Sequence, residues 1–150
     1  MNHWVVYAGL SAVFAGLTAV LAKVGVGNIP SNLATLVRTV VILAFAAGIV
    51  AVRGEAHHVA TFSARNWTFL VLSGVATGLS WLFYFAALKA GPVSGVAPID
   101  KMSFLIAMTL GFLVLGEPVR PLTLVGAALI AAGVLLTLPA VQDALRKLVV

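Results

Sequence analysis

Five long apolar runs, 4–22, 33–52, 67–88, 93–115 and 121–138, alternate with segments rich in Gly, Pro and polar residues. A helix needs about 20 apolar residues to cross the hydrocarbon of a bilayer. Five such helices use about 100 residues, most of a 150-residue chain. Hydrophobic residues make up 62% of the sequence and charged ones 9%, against roughly 45–50% and about 25% in soluble domains. So little polar surface excludes a soluble globular enzyme, and so much apolar surface excludes disorder. Backbone polar groups in lipid must be paired within their own segment, so the runs are predicted as helices. The expected fold class is all-α integral membrane, with five transmembrane helices and the two ends on opposite sides. Residues 1–139 form one membrane domain in this reading. A tail, 140–150, carries Val141, Leu145 and Leu148 at helical spacing and suits the membrane surface. The first run has no basic segment before it and no A-x-A site after it, which argues for a retained span rather than a signal peptide.

The turns between runs carry their own signals. Ser31 or Asn32 can cap the second helix with a side-chain oxygen. Gly116-Glu117-Pro118 reads as a tight break, with Glu117 organising the turn. His57 and His58 sit in the polar stretch 53–66, where adjacent residues share no helix face and no carboxylate completes a ligand set. No metal site and no cofactor are expected. The sequence has no Gly-rich phosphate loop, no G-x-S-x-G, no H-E-x-x-H and no Cys, so catalysis has no visible apparatus. The net charge of +5 comes from basic residues scattered singly between apolar runs. That is the pattern of membrane anchors rather than of nucleic-acid binding. Arg53, Arg65 and Arg120 fall on one side, and Lys23, Lys89, Arg146 and Lys147 on the other. So even a distribution gives no orientation by the positive-inside rule. Two readings follow: a subtler determinant of one orientation, or dual insertion with pairing of opposed copies.

Three charges fall within or beside the runs. If the fourth helix starts at Pro98, Asp100 lies in its first turn, where a carboxylate suits the helix dipole, and Lys101 snorkels. If it starts near Val93, both charges lie about one-third of the way into the membrane, where ionisable groups are functional candidates. Arg38, some six residues into the second run, shares that side and depth. The trio reads either as a satisfied ion cluster or as an entry for an anionic or zwitterionic solute.

The third run has a polar stripe. Ser73, Thr77, Ser80 and Tyr84 share one helix face, with Gly74, Gly78, Trp81 and Phe85 beside it. Such a face suits helix packing, because small residues allow close approach and hydroxyls bond to neighbours. It also suits the wall of a solute cavity, with Trp81 and Tyr84 as stacking or cation–π surfaces. Tyr7, Ser11 and Thr18 form a weaker stripe on the first run, and Gly126 and Gly133 a smooth face on the fifth.

Residues 67–138 resemble the EamA domain of the drug/metabolite transporter superfamily. The resemblance is carried by Ser80-Trp81-Leu82-Phe83-Tyr84-Phe85-Ala86-Ala87-Leu88-Lys89-Ala90-Gly91-Pro92, by Val96-Ala97-Pro98-Ile99-Asp100-Lys101-Met102-Ser103, by Leu115-Gly116-Glu117, and by the run from Gly126 to Gly133. Pro-Ile-Asp-Lys and the single five-helix unit are similar to the short bacterial/archaeal transporter branch. The first two runs fit more loosely, through Lys23 and Arg38. The resemblance implies a multi-pass transporter of small solutes in the cell (inner or plasma) membrane. Longer relatives carry two such units in inverted orientation, so this chain is expected to act as a homodimer or with a second EamA-like unit. Related small multidrug exporters have a membrane-embedded Glu in their first helix, and this chain has no acidic residue there. Asp100 is the candidate proton carrier that remains near a span. The rival expectation is a non-transporting accessory or assembly subunit, with a lipid-linked-sugar flippase subunit between the two.

Overall fold

The computed structural model describes residues 3–149. The first two positions of the expected domain and the last of the expected tail lie outside them. Seven α-helices and one 3-10 helix follow in order, with no strand among the described residues. They are α1 (His3–Val26), α2 (Ser31–Arg53), the 3-10 helix Glu55–Thr61, α3 (Ala64–Ala90), α4 (Val93–Lys101), α5 (Ser103–Val114), α6 (Pro121–Leu136) and α7 (Pro139–Val149). The helices α1, α2, α3 and the stretch Val93–Val114 are each long and apolar enough to cross a membrane. The described residues thus hold four such segments, or five if α6 and α7 together make one, as expected of an all-α membrane protein. At 16 residues α6 reaches about 24 Å, and α7 turns from it by 80°. Apolar side chains such as Leu113 (78% exposed) and Leu122 (85%) face outward, as an apolar solvent allows.

The chain divides into two compact units, 1–90 and 91–150. In the first, α1, α2 and α3 pack on one another. Their common core is Ala19, Ala22 and Val26 of α1, Ala34 and Thr35 of α2, and Phe85 and Leu88 of α3. Small residues at helical spacing let the backbones approach closely, the usual means of packing helices in lipid. Two lysines tie this end together. Lys23 donates to the Leu88 carbonyl at 2.5 Å, and Lys89 to the Ile29 carbonyl at 2.8 Å. A cation on Leu88 suits the last turn of α3, whose carbonyls lack intrahelical partners.

The start of α2 departs from expectation. Neither Ser31 nor Asn32 caps it. Pro30 is the capping residue, with extended ψ of 133°, and its carbonyl accepts the Ala34 amide at 3.1 Å. Ser31 is already helical, and its carbonyl accepts the Thr35 hydroxyl at 3.0 Å. Proline at this position has its φ preset and offers no N–H that would need a partner. At the other end Gly54 adopts φ +67° and stops α2. Ser63 caps α3 by accepting the Asn66 amide at 3.2 Å. The rings of Phe62 and Trp67, one residue before the cap and four after it, lie 5.8 Å apart and fix the entry angle.

In the second unit the fourth run becomes two helices. Its helix starts at Val93, the earlier of the two expected positions, with Pro92 as cap and Pro98 inside. Near the proline the regular ladder slips. The Met102 amide bonds the Ile99 carbonyl at 3.0 Å rather than that of Pro98, and α5 restarts at Ser103. Gly116, at φ +67°, ends the descent from α5. The Glu117 amide turns back onto the Gly111 carbonyl at 3.2 Å, so Glu117 does organise this turn. Its side chain lies over Gly111 so closely that a Cβ there would stand 3.0 Å from Oε2. Pro121 opens α6 at a position where its missing N–H is harmless. The Gln142 side chain of α7 donates from Nε2 to the Leu136 carbonyl at 3.1 Å and satisfies the end of α6.

Candidate functional site

The first unit contains a cavity of about 350 Å³. Thr18, Leu21, Ala22 and Gly25 of α1 form one wall, Ala34, Val37 and Arg38 of α2 another, and Phe85 of α3 with Ile29 of the α1–α2 turn complete it. Ala34 and Arg38 are one helical turn apart, so α2 presents both on one face. Gly25 and Ala22 leave the room that larger side chains would fill. Thr18 and Arg38 supply the polar side chains of the wall.

Arg38 is half-buried. Its guanidinium carbon lies 4.1 Å from the centroid of the Trp81 ring and 5.6 Å from that of Phe85. Both rings belong to α3, where residues 81 and 85 are successive turns of one face. The Tyr84 ring meets that of Phe85 edge-on, with centroids 6.4 Å apart. Cation–π attraction over Trp contributes about 0.5–1 kcal/mol at exposed sites and more where water is excluded.

The structure thus brings together some of the expected site residues. Arg38 and Trp81 meet directly, and Tyr84 is half-buried beside them. Ser73, Thr77 and Ser80 do not line the cavity and are exposed. The Thr77 hydroxyl donates to the Ser73 carbonyl of its own helix at 2.9 Å, a bond that needs no neighbouring helix. Asp100 and Lys101 belong to the second unit and pair with each other at 3.4 Å, an exposed lysine beside a half-buried aspartate. The His57 Nδ1 bonds the Gly54 carbonyl at 2.7 Å, and the described residues contain no group of three or more His, Cys, Asp or Glu that could hold a metal ion. Of the cavity wall, Thr18 belongs to the weaker stripe of the first run. Leu21, Val37 and Ile29 carry no sequence signal that separates them from lipid-facing residues.

Residues 2–138 match the EamA-like transporter family. The chain is also 53% identical, over 135 residues, to a protein of Sinorhizobium sp named "Uncharacterized transporter in cobO 3'region". That alignment covers 90% of this chain and 96% of the relative. No solved structure matches. With a match over nearly all its length and helices built to cross a membrane, this chain belongs to the EamA-like transporter family and is a multi-pass membrane protein.

Proposed function

We propose that the chain is a half-size carrier of small solutes, of the drug/metabolite transporter type, in the cell membrane. The observation that carries this reading is the cavity between α1, α2 and α3, with Arg38 on its wall, in a chain of this family. A groove with one cation and otherwise apolar walls binds and releases a solute. Five spans are assigned: α1, α2, α3, α4 with α5, and α6. The ends then lie on opposite sides in this reading, and α7, which turns from α6 by 80°, is taken to rest on the membrane surface. Its apolar Leu145 and Leu148 face one way, and Arg146 and Lys147 serve the headgroups.

A second copy, or a second EamA-like unit, completes the pathway. Alternating access then comes from rocking of one copy against the other around a central site. The open glycine faces support this reading. A Cβ built on Gly74, Gly78, Gly126 or Gly133 meets nothing within 4 Å, so these faces leave room for the close approach of another helix. Ser73, Thr77, Ser80 and Tyr84 then face the pathway or the partner copy. Asp100 with Lys101 is the candidate for coupling: with the helix starting at Val93, Asp100 lies about 10 Å along it.

Uptake of solutes by purified protein in liposomes tests the carrier reading, with Asp100→Asn as the coupling variant. Uptake that depends on the protein supports the reading, and its absence across a broad solute panel overturns it. Single Cys replacements at 73, 77, 80 and 84, in a chain with no native Cys, test the stripe. Wet positions react with water-soluble maleimides, because the thiolate is the reactive form.

A further inference from the structure

The first unit holds one acidic residue, Glu55, and it pairs with Arg53 at the far end of α2, at 3.7 Å. Arg38 therefore has no carboxylate of its own unit to neutralise it. Its position in the helices sets the depth at which the charge is held. Arg38 lies seven residues into α2, about 10 Å from its start. Trp81 lies nine residues before the end of α3, about 13 Å. The guanidinium, 4.1 Å from that ring, is held at the depth of the aromatic pair rather than extended to the surface. The rings attract it but carry no charge. A cation at that depth is costly in lipid without a counter-anion, and Arg presents a planar fork that suits a carboxylate or phosphate oxygen pair.

The cavity defines the rest of the ligand. Beyond Arg38 and the Thr18 hydroxyl, its walls are aliphatic or aromatic: Leu21, Ile29, Val37 and Phe85. One fixed positive charge balances one negative charge, and an apolar wall favours an apolar body over a hydrated one. We infer that this cavity is a binding site for a singly charged anion on an apolar body, held by Arg38 with the Trp81 and Phe85 rings behind it. The anionic group is supplied either by a free organic acid or by the headgroup of an anionic lipid. The inference names the solute class of the carrier reading and rests on it for its biological sense.

Binding of radiolabelled benzoate to purified full-length protein in neutral detergent tests it, with unlabelled benzamide and benzylamine as neutral and cationic competitors. Benzoate should bind saturably and be displaced by neither. Arg38→Gln should raise its Kd about tenfold or more, the scale of losing a charge-assisted contact. Arg38→Lys should retain part of the affinity, since the charge remains without the fork. Helix content and elution volume of both variants check that they fold. Adding phosphatidylglycerol separates the two sources: displacement of benzoate assigns the site to a lipid headgroup as well, and retention assigns it to a free acid. Equal competition by benzamide, wild-type affinity in a folded Arg38→Gln variant, or no saturable binding of benzoate or phosphatidylglycerol would overturn the inference. The carrier reading fails separately. Benzoate that binds while no solute of the panel crosses liposomes removes the carrier and leaves the site, and uptake with no preference for anions does the reverse.

Discussion

The helices of residues 1–90 run unbroken for 24, 23 and 27 residues, whereas those of residues 91–150 are 9, 12, 16 and 11 residues long. The first unit buries large side chains at one end, with Leu88 and Val26 almost wholly enclosed. The second buries Gly111, Ala127 and Val134. The first is tied by side chains that reach between helices, Lys23 to Leu88, Lys89 to Ile29, and Arg38 to Trp81. The second is shaped by its backbone: Pro98 inside α4, Gly116 with positive φ, and Pro121 at the start of α6. Lipid removes much of the hydrophobic drive for helices to associate, so close packing and interhelical polar contacts carry more of the task. On that basis the first unit is a packed body with a cavity in it. The second consists of helices whose directions are set locally and whose apolar faces remain open to lipid or to a partner.

The largest test of this contrast is in the core. Leu88→Ala should destabilise the folded protein by about 2 kcal/mol or more, as for other fully buried leucines. Val134→Ala removes less volume from a sparser surrounding and should lose less than half as much. Reversible denaturation in mixed micelles, followed by helix content, reads both. Equal losses would mean that the second unit is as well packed as the first.

Next come the polar ties. Lys23→Met should lose about 1.5 kcal/mol, the lower end for a hydrogen bond to a charged donor, because the Leu88 carbonyl is left without that donor. Lys23→Arg should recover part of it. A neutral Lys23→Met would reduce this contact to an incidental one.

Gly54 and Gly116 should respond alike, since each stands at φ +67° in its own unit. Alanine at either position should lose about 1 kcal/mol, from the left-handed backbone that a Cβ disfavours. The smallest effect is at Gly111. Its added Cβ meets only the end of the Glu117 side chain, which can swing aside, so Gly111→Ala should lose a few tenths of a kcal/mol in the denaturation assay. A double-mutant cycle with Glu117→Ala should show the two to be coupled. Strict additivity would separate Glu117 from Gly111 and leave only its backbone in the turn.

Much of this molecule follows from local chemistry. Apolar runs of this length must be helices in lipid, because their backbone groups have no other partners. Helix ends follow from residues near them, as with Ser63, Gly54, Gly116 and Pro121. Local reasoning misplaces one boundary and leaves another open where two local candidates compete. Pro30 ends the turn one residue before Ser31, and Val93 rather than Pro98 starts the fourth helix, since nothing nearby stops the helix from beginning at the earlier proline cap. The site depends on distance. Periodicity shows that Ser73, Thr77, Ser80 and Tyr84 share a face, but not what that face meets, and only Tyr84 lies beside the Arg38 cluster. Lys23 reaches a carbonyl 65 positions away. The meeting of Arg38 with Trp81, and the cavity walled by Thr18, Val37 and Phe85, exist only once three helices are packed together. Sequence spacing registers contacts along one helix, whereas a cavity is the space that several helices leave between them.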